Sequence, residues 1–143
     1  MHLFRIALAM KCKKENLADT YGTFDGGSYV TIDDSLKSYR YSIAVENDIS
    51  PYFFTEKILN CFAAQTIPVY IGATEIHKFF NPDGIITFGL RDIDNIEDIL
   101  KQCTKEEYER RLPAVIDNYN RVINKYLESN WDSIYERYMK FCI

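Results

Sequence analysis

The sequence predicts an α/β domain: a small Rossmann-like parallel sheet flanked by helices. Three observations carry that reading. Residues 41–45 (YSIAV) and 67–71 (IPVYI) are short apolar runs of the length and composition of buried strands. Between them Phe54, Ile58, Leu59, Phe62 and Ala63 recur at helical spacing. A third apolar run, 85–88 (IITF), follows a turn. Two strands joined by a helix form a βαβ unit, with parallel strands and a right-handed crossover. Ligands of such sheets sit beyond the carboxyl ends of the strands.

The elements follow in order. Residues 3–14 read as a helix with Leu3, Ile6, Ala7 and Met10 as its apolar positions, and lysines near its C-terminus, where the dipole favours cations. Residues 17–21 are a short strand candidate ending at Gly22. The loop 22–29 has a Gly-Gly pair but not the spacing of a phosphate-cradling glycine loop. Thr31 suits the N-cap of a short helix to about residue 38, with Asp33 and Asp34 in its first turn. After the βαβ unit, 73–80 reads as a short helix. Asn81-Pro82-Asp83-Gly84 is a turn, with Pro presetting one dihedral. Asn95 is placed to cap a helix from 96 to about 103. Thr104 and Glu107 have the spacing of a capping box for the next helix. Pro113 predicts a kink or restart inside it. An apolar stripe through Leu112, Val115, Ile116, Tyr119, Val122, Ile123 and Tyr126 continues in a last helix at Trp131, Ile134, Tyr135 and Tyr138. The sheet so predicted has about four strands, fewer than the five or six usual for this class.

With 143 residues, 47% of them hydrophobic, the chain can bury one sizeable core. Its net charge of −4 supplies no basic face for nucleic acid. Lysines and arginines that cluster locally (Lys11, Lys13, Lys14; Arg110, Arg111) are interleaved with acids and read as solvated faces. Four widely spaced cysteines, Cys12, Cys61, Cys103 and Cys142, form no metal-binding pattern and read as reduced thiols. His2 and His77 are isolated, and no Ser-His-Asp order occurs. No apolar run approaches the roughly 18 residues of a membrane span. The chain is expected in the cytoplasm, free or peripheral at the inner membrane, with no cofactor.

The residues that invite a functional reading lie at 46–57. Glu46 and Asn47 are polar residues at the carboxyl end of a buried strand, where an Asn/Asp turn is the simpler alternative. Thr55, Glu56 and Lys57 open the following helix, whose free N–H groups and positive dipole welcome an anion. Lys57 there opposes the dipole by roughly 0.3–1 kcal/mol, so an anion would offset it. A solvated lysine is the plainer reading. Glu56 suits the dipole by itself, or a ribose hydroxyl pair.

At these residues the chain resembles glycosyltransferase family 10, the α-1,3/1,4-fucosyltransferases. The family pattern is a strand ending in F-E-N, a short loop, Y-x-T-E-K opening a helix, then a strand of the type P-V/I-x-x-G. Here it stands as Val45-Glu46-Asn47, Phe53-Phe54-Thr55-Glu56-Lys57 and Pro68-Val69-Tyr70-Ile71-Gly72. Residues 18–22 (ADTYG) are similar to the family's V-D-x-x-G strand, and the likeness runs from about Arg5 to Tyr108.

The resemblance implies the C-terminal, donor-binding half of a two-domain GT-B fold, with residues 1–143 forming one nucleotide-sugar domain and long terminal helices. It implies GDP-fucose as donor and inverting transfer to a hydroxyl of a bacterial surface glycan. The general base lies in the acceptor half, which this reading expects outside the chain. By resemblance Lys57 and Arg5 meet the diphosphate, Glu56 the ribose, and Glu46 and Asn47 shape the pocket. Phe53 replaces the family's tyrosine, and Tyr52 beside it could supply the hydroxyl. The surface facing the acceptor half is expected to be apolar, favouring self-association or a partner chain. The alternative is a non-catalytic nucleotide-sugar-binding or assembly module. A receiver-type signalling domain is disfavoured, because no acidic cluster ends a first strand.

Overall fold

A computed structural model describes residues 1–126. The predicted last helix at Trp131, Ile134, Tyr135 and Tyr138, and Cys142, lie outside the described residues. The sheet has three parallel strands in the order β1-β2-β3: β1 (Tyr41–Val45), β2 (Ile67–Ile71) and β3 (Ile86–Thr87). Among the described residues five α-helices accompany it: α1 (His2–Lys14), α2 (Ile32–Leu36), α3 (Glu56–Ala63), α4 (Ile96–Leu100) and α5 (Lys105–Lys125).

β2 is buried along its whole length because both faces of the sheet are covered. Its side chains alternate between two apolar clusters. Ile67, Val69 and Ile71 join Val45, Leu8, Cys12, Ile96 and Val115 on one face. Tyr70 joins Ala44, Ile58, Phe62, Phe80 and Val122 on the other. Helix α5 contributes to both clusters, Val115 to the first and Val122 to the second.

Local chemistry sets the helix ends. The Thr31, Thr55 and Thr104 side chains each accept a backbone N–H from the first turn of α2, α3 and α5. Helix α3 stops in a left-handed residue, Gln65 (φ 55°), with Thr66 N–H reaching back to the Cys61 carbonyl at 2.8 Å. The chain then enters β2.

Several expectations are corrected. Residues 17–21 form no strand, so the described sheet has three strands, not four. On α1 the buried positions are Leu8 and Cys12, with Phe4 packed beside them, whereas Leu3, Ile6 and Met10 are exposed. The sequence offers two overlapping apolar stripes there, and only contact with the sheet chooses between them. The stretch 73–80 holds a single 3-10 turn (Ile76–Lys78), not a helix. Asn95 makes no side-chain cap, and α4 ends at Leu100. Pro113 does not restart the helix: α5 runs through it, with the proline on the exposed side. The capping box at Thr104 is half made. Glu107 turns instead to Arg110 and Arg111, whose hydrogen bonds hold its pKa down at about 2.

Candidate donor site at the carboxyl end of β1

The site grows from the point where β1 leaves the sheet. Glu46 follows Val45 and still donates its N–H to Ile71 of β2, at 2.9 Å. Its side chain is wholly buried. One carboxylate oxygen accepts the Thr55 N–H at 2.9 Å and the other the Thr55 hydroxyl at 2.7 Å. The loop between these residues is thereby closed at its base, which sets where α3 begins. Gly72 leaves the room: a Cβ there would lie 2.4 Å from Glu46 Cγ and 2.4 Å from the Tyr70 hydroxyl.

Lys57 lies in the first turn of α3, three-quarters buried. Its ammonium donates to Thr55 Oγ1 at 3.1 Å and to Glu56 at 3.3 Å, and stands 3.8 Å from Glu46. Glu56 is largely exposed. Its own backbone N–H holds its carboxyl below the usual range, and Lys57 adds to that effect.

Across from α3, Arg5 on α1 donates to the Asn47 side-chain oxygen. The Arg5 Nε is buried and has no hydrogen-bond partner among the described residues. Arg5 and Lys57 both line a cleft of about 1030 Å³ that runs along β1 between α1, residues 17–23 and α3. Two cations thus line one cleft near the strand's carboxyl end, beside the start of α3. Such an arrangement can hold a polyanion.

The structure therefore gathers Glu46, Glu56 and Lys57 into one network, and Arg5 and Asn47 into another. Tyr52 and Phe53 stand apart from both networks. Tyr52 is exposed, its ring edge-on to Phe79 and 5.4 Å from the Lys78 ammonium. Phe53 is also exposed. Sequence reasoning gave no role to Thr55, which joins Glu46 to Lys57; a threonine directly before a helical run was the signal available. Among the described residues no group of three or more His, Cys, Asp or Glu is arranged to hold a metal ion. No helix there is long and apolar enough to cross a membrane.

The family model described as glycosyltransferase family 10 (fucosyltransferase), C-terminal part, matches residues 3–113. The chain belongs to that family. Among the relatives of this family-10 chain, the α-(1,3)-fucosyltransferase FucT of Helicobacter pylori is 29% identical over 65 residues, 46% of this chain and 13% of its own length. A protein of Acanthamoeba polyphaga mimivirus named as a fucosyltransferase is 29% identical over 128 residues, 88% of this chain and 20% of its own. A fucosyltransferase-like protein of Arabidopsis thaliana is 26% identical over 133 residues, 91% of this chain and 25% of its own. A solved α1,3-fucosyltransferase with GDP-fucose superposes with a TM-score of 0.63 at 24% identity, over 76% of this chain and 34% of that one. Another, with GDP, gives 0.57 at 17% identity, over 85% and 44%. The chain thus spans a quarter or less of these curated relatives and under half of the solved structures. The likeness to the solved structures carries the fold: a parallel sheet between helices, as in a GT-B half.

Proposed function

We propose that this chain binds GDP-fucose as the donor-side domain of an inverting fucosyltransferase, acting with acceptor-side residues outside it. Family membership supports the reaction class. The observation that carries the reading is the pairing of Lys57 and Arg5 on one cleft beside the start of α3. In the transfer the bond from the sugar's anomeric carbon to the diphosphate oxygen breaks, and an acceptor hydroxyl oxygen bonds that carbon from the opposite face. The electron pair leaves with GDP, so negative charge grows on the diphosphate. An ammonium and a guanidinium fixed in advance stabilise that charge more than they stabilise the ground state. The acceptor's proton goes to a base, which this reading places in the acceptor-side part.

Replacing Lys57 by Ala is expected to weaken GDP binding by roughly 1.5–3 kcal/mol, the scale of a charged hydrogen bond. Calorimetric titration measures it, and an unchanged affinity removes the phosphate role. Because the chain spans only a fraction of its relatives, binding without catalysis is the second reading. Acceptor-dependent release of GDP from GDP-fucose, measured beside the titration, separates the two.

A further inference from the structure

Glu46 is an odd residue for an anion site. Burying a carboxylate is unfavourable unless it is paired and hydrogen-bonded. Placed 3.8 Å behind the Lys57 ammonium, its charge also opposes the attraction of that ammonium for a phosphate. A loop anchor alone would need no charge there. The fold nevertheless reserves the space, through the missing side chain at Gly72.

The hydrogen bonds explain the choice. A hydroxyl has one donor and two lone pairs. An ionised carboxylate only accepts, so the Thr55 hydroxyl must point its proton at Glu46, at 2.7 Å. Both lone pairs then face Lys57, one toward its ammonium at 3.1 Å and one toward its backbone N–H at 3.4 Å. The capacity of Thr55 is filled, and its orientation is dictated from inside the protein. A neutral amide at position 46 would turn its oxygen to the Thr55 N–H and its NH2 to the Thr55 hydroxyl, so that hydroxyl would have to accept there and aim its proton elsewhere.

We infer that Glu46 is a positioning residue: through Thr55, its buried carboxylate fixes the Lys57 ammonium and the first turn of α3 in the geometry that meets the donor's phosphates. The inference rests on the donor reading above and gives Glu46 a role without contact to the donor.

The two effects of Glu46 have opposite signs, which makes the test sharp. Charge alone predicts that Glu46→Gln tightens GDP binding, because a negative group leaves the site. Positioning predicts that it weakens binding, by about tenfold, or 1.4 kcal/mol. The experiment is calorimetric titration of GDP into the full chain, as wild type, Glu46→Gln, Lys57→Met and the double variant, with thermal midpoints measured alongside. The expected result is a loss with Glu46→Gln that shrinks below about twofold in the Lys57→Met background, as coupled neighbours require. Equal or tighter binding by Glu46→Gln overturns the inference. So does an equal loss in both backgrounds, which would place the effect in the fold as a whole. If Glu46→Gln does not fold, Thr55→Val cuts the same link while keeping the carboxylate and its hydrogen bond from the Thr55 N–H. It is expected to lose about tenfold and Thr55→Ser to regain it; wild-type affinity in Thr55→Val overturns the inference. A chain that binds GDP through Lys57 but ignores both Glu46→Gln and Thr55→Val keeps the donor site and loses the positioning role. A chain that does not bind GDP loses both.

Discussion

Gly72 shows how one residue's meaning changes between sequence and structure. In the sequence it marks the end of an apolar run. In the fold its backbone φ is ordinary, and what matters is the volume it leaves. Glu46 and Tyr70 fill that volume, both buried, and the Tyr70 hydroxyl accepts the Ala73 N–H at 2.9 Å. Neither neighbour is a flexible surface chain that could move aside. Gly72→Ala is therefore expected to destabilise the protein by at least about 1–3 kcal/mol, the usual penalty of overpacking. Urea unfolding monitored by fluorescence checks this, and a wild-type midpoint would mean that the end of β2 can shift. That Glu46 and the start of α3 come together was legible, because polar residues at a strand's carboxyl end are conspicuous. That Glu46 turns inward was not, because a carboxylate's direction depends on partners nine residues away and on space left by a strand 26 positions on.

Elements were legible where periodicity was strong. β1, α3 and β2 form as read, since short apolar runs and helical spacing agree within one short stretch. Weaker signals failed in ways the packing explains. Residues 17–21 have strand-like composition, but their backbone joins no ladder among the described residues. Helix α5 absorbs Pro113 because the ring sits on its exposed side, and the carbonyl freed at Glu109 lies on an exposed residue too, where water can reach it. That tolerance still carries a cost, since the hydrogen bond is lost. Pro113→Ala is expected to stabilise α5, by up to about 3 kcal/mol. Differential scanning calorimetry reads it as a higher midpoint; no increase would show that the ring's own contacts already compensate.

For the whole molecule, the α/β class followed from the order of apolar runs, and the layering from β2 being apolar at every position. What the sequence did not disclose is how the two faces are joined. The buried faces of the sheet share no side chain, yet α5 reaches both, with Val115 on one and Val122 on the other. Its middle is held by Asn118, fully buried, whose side chain accepts the Asn81 N–H at 2.7 Å and donates to the Asn81 carbonyl at 3.0 Å. Amide hydrogen exchange should then give one opening free energy for β2 and both halves of α5; two distinct values would mean that the faces open separately. A single rod riveted through both sides of a plate leaves neither side free to peel away. A change that frees α5 from Asn81 would loosen the wall of the cleft carrying Arg5 together with the wall carrying Lys57, so the two cations would lose their spacing in the same event.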